Sequence, residues 1–184
     1  MLLSQHVYQA LIDHTSHMTG NILEIGAFEG EGTARLARHW PHSKIYVVDP
    51  FVEDGHTTAA TQVDRGQVML TQRAAFERNV SGLDNVRLYA VPSKDFGELV
   101  HALPDMHIDR VIIDGSHHYE DVILDAQIAW RCIKDRGGVV VFDDLAVADV
   151  SRALAEFESA HADRIRKRVD IYGVAALLEI GHVN

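Results

Sequence analysis

Glu24-Ile25-Gly26-Ala27-Phe28-Glu29-Gly30-Glu31-Gly32-Thr33 is the stretch on which the reading of this chain turns. It follows an apolar run, Asn21 to Ile25, and leads into a segment of helical spacing from Ala34 to Trp40. Glycines at such a junction let the backbone turn sharply. They also let a ligand approach main-chain N–H groups at a helix start, where a carboxylate is favoured. A dinucleotide-binding turn would need G-x-G-x-x-G. Gly26 is followed by Ala27 and Phe28, and Gly30-x-Gly32 meets Arg35 where a third glycine would stand, so that fingerprint is not met.

Outward from the turn, short apolar runs alternate with longer segments of helical periodicity, the pattern of a parallel sheet covered by helices. Strands are expected at Asn21–Ile25, Lys44–Asp49, Val86–Val91, Arg110–Asp114 and Val139–Asp143. Helices are expected at about 3–18, 31–39, 66–80, 94–103, 119–134 and 147–162. Ile165–Ile171 and Val174–Ile180 are separated only by Tyr172-Gly173, too little for a crossover helix, so they should pair as an antiparallel hairpin. The expected fold class is α/β: a doubly wound sheet of about seven strands, five parallel plus the C-terminal hairpin, with helices on both faces. Phe51 to Arg65 is polar and irregular, and reads either as a substrate loop or as a plain connection.

Composition bounds the function. The 184 residues are 47% hydrophobic and 24% charged, a balance suited to one globular domain spanning 1–184. A formal charge of −10 leaves no basic excess for phosphates, which argues against a nucleic-acid partner. No apolar run approaches the roughly 18 residues of a membrane span. The start of the chain does not read as a leader, and Cys132 is alone, so a reducing, cytoplasmic setting without a membrane partner is expected. The leading helix and terminal hairpin offer surfaces on which a homodimer could form.

An acid two residues before a glycine, with a second glycine four later, resembles the first motif of class I S-adenosylmethionine-dependent methyltransferases, enzymes of Rossmann-like fold. The resemblance implies that Glu24, Gly26, Phe28 and Gly30 form the turn that holds the methionine portion of the cofactor. Asp49, ending the second strand, stands where the family places the acid that binds both ribose hydroxyls, and a carboxylate can accept two such bonds. Ser93 matches the region near the adenine, and reads equally as a helix N-cap.

The fourth and fifth strands run into Asp114-Gly115-Ser116-His117-His118-Tyr119 and Asp143-Asp144. Carboxylates at neighbouring strand ends repel one another unless a cation or protons compensate them, and oxygen ligands of this kind suit Mg²⁺. Capping of the following helices is the structural alternative. The segments look like bacterial small-molecule methyltransferases whose fourth strand ends in D-G-x-H-x-Y, a family that includes macrolide-sugar and cephamycin-type enzymes. Asp114, Asp143 and Asp144 are also similar in position to acids of catechol O-methyltransferases. The resemblance implies Asp114, Asp143 and Asp144 as metal ligands, with Asp114 also beside the cofactor, and His117 as general base for a small-molecule hydroxyl. Many members carry His-Asp where this chain has Asp143-Asp144, and a small polar residue in place of His118, so either His117 or His118 could face the substrate. Three readings compete with metal-assisted O-methylation: a metal-independent methyltransferase, a nucleotide- or dinucleotide-binding oxidoreductase, and a binding domain without catalysis.

Overall fold

The computed structural model describes residues 4–51, 65–100 and 106–182, without the side chains of residues 4, 5 and 65–70. The chain runs α1 (Ser4–Thr15), β1 (Asn21–Ile25), α2 (Glu31–His39), β2 (Ile45–Val48), α3 (Arg65–Asn79), β3 (Val86–Tyr89), α4 (Ser93–Leu99), β4 (Ile108–Ile113), α5 (Tyr119–Ile133), β5 (Gly138–Phe142), α6 (Ala148–Ala160), β6 (Ile165–Ile171) and β7 (Ala175–Ile180). The seven strands form one sheet in the order β3-β2-β1-β4-β5-β7-β6. The first five are parallel, and β7 pairs antiparallel with both β5 and β6. The expected α/β doubly wound fold is therefore the observed one.

Apolar residues on both faces of the central strands explain the two packed layers. Leu23, Val48, Val111, Ile113, Val140 and Phe142 pack on one face, together with residues of α4, α5 and α6. Ile22, Ile45, Val47, Ile112, Val139 and Val141 pack on the other, with residues of α1, α2 and α3. This alternation along each strand follows from the period-two direction of side chains.

Some elements end earlier than their sequence pattern suggests. β3 stops at Tyr89, whose carbonyl accepts the Asp49 N–H at 3.2 Å, and Pro92 opens the next turn. α4 closes at Leu99, and residues 101–103 of the expected helix lie outside the described residues, as do 52–64 of the irregular segment. The hairpin turn at Tyr172 and Gly173 has φ of 51° and 72°, with the Val174 N–H donating to Ile171 at 3.0 Å, matching the primed turns that suit strand twist. Among the described residues, no helix is long and apolar enough to cross a membrane.

Candidate functional site

The order β3-β2-β1-β4-β5 reverses direction between β1 and β4, and ligands of such sheets bind beyond the carboxyl ends at that point. The glycine turn leaves β1 there, and Asp114 leaves β4 beside it. Their backbones touch so closely that a Cβ on Gly26, whose φ is 82°, would stand 2.0 Å from the Asp114 carbonyl oxygen. Only glycine meets both demands. Gly30, with φ of 77°, starts α2, and a Cβ there would press on the Phe76 ring at 2.5 Å.

Two acids hold the turn from opposite sides. Glu24 is fully buried. Its Oε1 accepts the Tyr8 hydroxyl at 2.7 Å and its Oε2 the Thr33 hydroxyl at 2.5 Å. Burial pushes its pKa up to about 7 against the pull of those two bonds, and Asp49 raises it further. Both oxygens being engaged, Glu24 supports the turn from beneath rather than presenting an oxygen to the cleft, which narrows the cofactor contact expected of it. Asp49 Oδ2 accepts the N–H groups of Ala27 at 2.8 Å and Phe28 at 3.0 Å, while Oδ1 accepts that of Phe51 at 2.6 Å. The acid at the end of β2 is thus fastened to the very turn with which the sequence grouped it. Phe28, with φ of 49°, points its ring outward and is 63% exposed.

On the other side of the reversal, single ligand atoms of Asp114, His117 and Asp144 lie within 4.8 Å of one another, a set that could hold a metal ion. His117 Nε2 is 2.8 Å from Asp144 Oδ2. Asp144 reaches the group because its φ is 56°, which breaks the alternation that would send neighbours to opposite faces. Asp143, expected as a third carboxylate ligand, is only 7% exposed, and its Oδ1 accepts the Asp144 N–H at 2.8 Å. His117, expected as the base, completes the group in its place. His118 is instead the exposed N-cap of α5 and is not one of that group.

The capping alternative finds no support. The N-caps of α5 and α6 are His118 and Val147, neither with a side-chain cap bond, so the three aspartates are not consumed by those helix starts. Their charges remain to be compensated. Burial first, then Asp143, Asp144, Glu24 and Asp49, hold the Asp114 carboxyl well above the usual carboxylate range. Burial raises Asp143 to about 6, opposed by the Asp144 N–H. Asp144 alone is lowered, through its bond to His117.

Ser93 is the first residue of α4, behind the N-cap Pro92, and its hydroxyl bonds to the Asp125 carboxyl. Tyr119 donates to Glu156 and lies under the Arg152 guanidinium at 3.9 Å, joining α5 to α6. Sequence reasoning missed Tyr8, Thr33 and Asp125. Tyr8 gives no local signal because its partner is 16 residues away. Asp125 could have been found as a lone acid in the apolar stripe of α5. Cys132 behaves as an inert thiol, its pKa pushed up to about 12 by burial.

A family model described as a methyltransferase domain matches residues 23–145. Among solved structures, the calicheamicin methyltransferase CalS11 aligns with a TM-score of 0.66 at 16% identity, covering 94% of this chain and 76% of its own. The O-methyltransferase TomG of Streptomyces achromogenes, solved in complex with SAM, aligns at 0.66 and 15%, covering 97% and 80%. The uncharacterized protein R132 of Acanthamoeba polyphaga mimivirus is 25% identical over 122 residues, 66% of this chain and 50% of that protein. The chain thus spans about half the length of that curated relative. The structural likenesses, at such low identity, concern the fold. The family match and that shared fold together mean that the chain belongs to the methyltransferase-domain family, in the class I architecture of S-adenosylmethionine-dependent enzymes.

Proposed function

We propose that this protein is an S-adenosylmethionine-dependent O-methyltransferase acting on a small-molecule hydroxyl, with a divalent cation, Mg²⁺ by its carboxylate donors, assisting at Asp114 and Asp144 beside the imidazole of His117. The observation that carries the reading is the contact of Gly26 with Asp114, which sets a turn suited to the donor directly against a cluster suited to deprotonating an acceptor. The family and the small-molecule methyltransferases among the structural neighbours support it.

In this reading Gly26, Phe28 and Gly30 shape the methionine end, with Glu24 bracing the turn from within. Asp49 serves the ribose through its remaining lone pairs, and Ser93 borders the base. Bound S-adenosylmethionine supplies an electrophilic methyl group on a sulfonium. A cation at the cluster would lower the pKa of an acceptor hydroxyl. His117 takes the hydroxyl proton, and Asp144, ionised through its bond to the imidazole, orients the ring and stabilises the cation that proton uptake creates. Asp114 and Asp143 surround that centre with negative charge, and holding donor and acceptor in line supplies much of the remaining rate.

Titration calorimetry of the full chain with S-adenosylhomocysteine tests the cofactor. Binding is expected, with Asp49→Ala weakening it about tenfold; no heat there but clear heat with NAD would put an oxidoreductase in its place. The contact between His117 and Asp144 favours one second reading, since an imidazole paired with a carboxylate can by itself take up and hold a proton. Full activity in the presence of a chelator would select that metal-independent enzyme.

A further inference from the structure

Asp125 plays no part in the chemistry above, yet it occupies an unfavourable place. It lies in the buried stripe of α5 with Val122, Ala126 and Ala129 and is 1% exposed. Burial raises its pKa to about 7, opposed by the hydrogen bond from Ser93 and reinforced by Asp121. Oδ1 has no hydrogen-bond partner among the described residues. A buried carboxyl with an unsatisfied oxygen costs stability, so the fold alone would be better served by an apolar residue.

What this side chain touches suggests its use. Ser93 opens α4 just beyond the carboxyl end of β3. Gly115 follows Asp114 beyond the end of β4, and a Cβ built on it would meet Asp125 Oδ2 at 3.4 Å. In the sheet, β3 and β4 flank β2 and β1, whose ends carry Asp49 and the glycine turn. A single carboxyl therefore bonds to the first residue of α4 and lies beside Gly115, between the two loops that bracket the ground above those two strands. The start of α2 favours the carboxylate end of the donor, and its methyl group must face the cluster at Asp114. The nucleoside end is then left to lie toward Asp49 and Ser93.

We infer that Asp125 is a positioning residue that clamps the loop after β3 to the loop after β4 and so sets the slot for the nucleoside end of the methyl donor. The inference rests on the proposed use of S-adenosylmethionine. Its test is calorimetric titration of the full chain with S-adenosylhomocysteine and with 5′-methylthioadenosine, which keeps the nucleoside and lacks the amino-acid carboxylate. Asp125→Ala is expected to raise Kd for both ligands about tenfold. Asp125→Asn, nearly isosteric and still able to accept from Ser93, should stay within about twofold of the wild type. A folded Asp125→Ala with unchanged affinity for 5′-methylthioadenosine overturns the inference, as does an Asp125→Asn variant that binds as weakly as Asp125→Ala. If Asp125→Ala does not fold, Ser93→Ala takes over the test: about threefold weaker binding of both ligands supports the clamp, and wild-type affinity overturns it. A wild-type protein that binds 5′-methylthioadenosine and S-adenosylhomocysteine not at all overturns the cofactor reading itself, an outcome separate from any difference between variants.

Discussion

The two halves of the site are built on opposite electrostatic terms. In the half that leaves β1 and β2, both oxygens of each strand-end acid are occupied by the protein: Glu24 by Tyr8 and Thr33, Asp49 by the amides of Ala27, Phe28 and Phe51. In the half that leaves β4 and β5, Asp114 and Asp143 are both raised by burial, with further repulsion from neighbouring carboxylates that the Asp144 N–H only partly offsets at Asp143, and of the three only Asp144 is lowered, through its bond to His117. The first half is a finished piece of structure, whereas the second stores repulsion that a proton or a cation would release. Stability and chemistry should therefore respond to different substitutions in the two halves.

Gly26 is where the halves meet, and Gly26→Ala should have the largest effect. The new methyl would sit 2.0 Å from the Asp114 carbonyl oxygen at a φ of 82°. Backbone strain and overpacking together should cost about 4 kcal/mol. Gly173→Ala is the control: its φ is 72°, but nothing lies within 4 Å, so only the conformational cost of about 1 kcal/mol applies. Urea midpoints compare the two. Equal losses would show that conformation, not the close approach of β1 to β4, is what demands glycine at position 26.

Glu24 gives the next largest effect, through pH. Its pKa rises from 4.5 for an ordinary glutamate to about 7 in the folded protein. The native state therefore holds this proton where the unfolded chain has lost it, and folding stability falls as pH rises from about 4.5 to 7, then levels off. The contribution amounts to about 3 kcal/mol over that window. Asp125 and Asp143, raised to about 7 and about 6, act in the same direction. Glu24→Gln removes only its own share, so its stability relative to the wild type should climb by about 3 kcal/mol between pH 4.5 and 7.5. A constant difference across that range, measured by urea unfolding, would mean that Glu24 is ionised in the folded protein.

The contrast between the halves also explains what could be read from the sequence. The strands were legible because apolar runs such as Ile45 to Val48 and Val139 to Phe142 are buried on both faces, and the hairpin because Tyr172-Gly173 leaves no length for a helix. The turn and the acids at the strand ends were legible as residue types at fixed places in that plan. Individual bonding was not. That Asp49 is fastened to Ala27 and Phe28, or that Glu24 meets Tyr8 of α1, depends on contacts between distant segments. The grouping of His117 rather than Asp143 with Asp114 and Asp144 hangs on one backbone angle at Asp144, and aspartate adopts that conformation without any mark in the sequence.

A cation should act on the second half alone. Mg²⁺ at about ten times its Kd would stabilise the fold by about 1.4 kcal/mol if it binds the native cluster. Asp114→Asn and Asp144→Asn should abolish that shift, whereas Asp49→Asn should leave it nearly intact. The midpoint of thermal unfolding with and without Mg²⁺ reads all four proteins. A wild-type midpoint that ignores Mg²⁺ would leave His117 and Asp144 as a proton-transfer pair without a metal.

The smallest effect on folding belongs to Phe28, and it is useful for that reason. The residue holds a left-handed φ of 49° and is 63% exposed, so little apolar burial is lost with the side chain. Phe28→Gly would relieve about 1 kcal/mol of backbone strain and give the unfolded chain about the same amount in entropy. Folding stability should then stay within about 0.5 kcal/mol of the wild type, and the bond from the residue 28 amide to Asp49 survives because it belongs to the backbone. Any change in ligand binding then reports the ring itself. If the ring covers the bound donor, S-adenosylhomocysteine should bind about threefold more weakly to Phe28→Gly, since part of an aromatic surface would no longer be removed from water. Unchanged affinity in a variant of unchanged stability would take Phe28 out of the binding set, leaving the first half to act through its backbone amides alone.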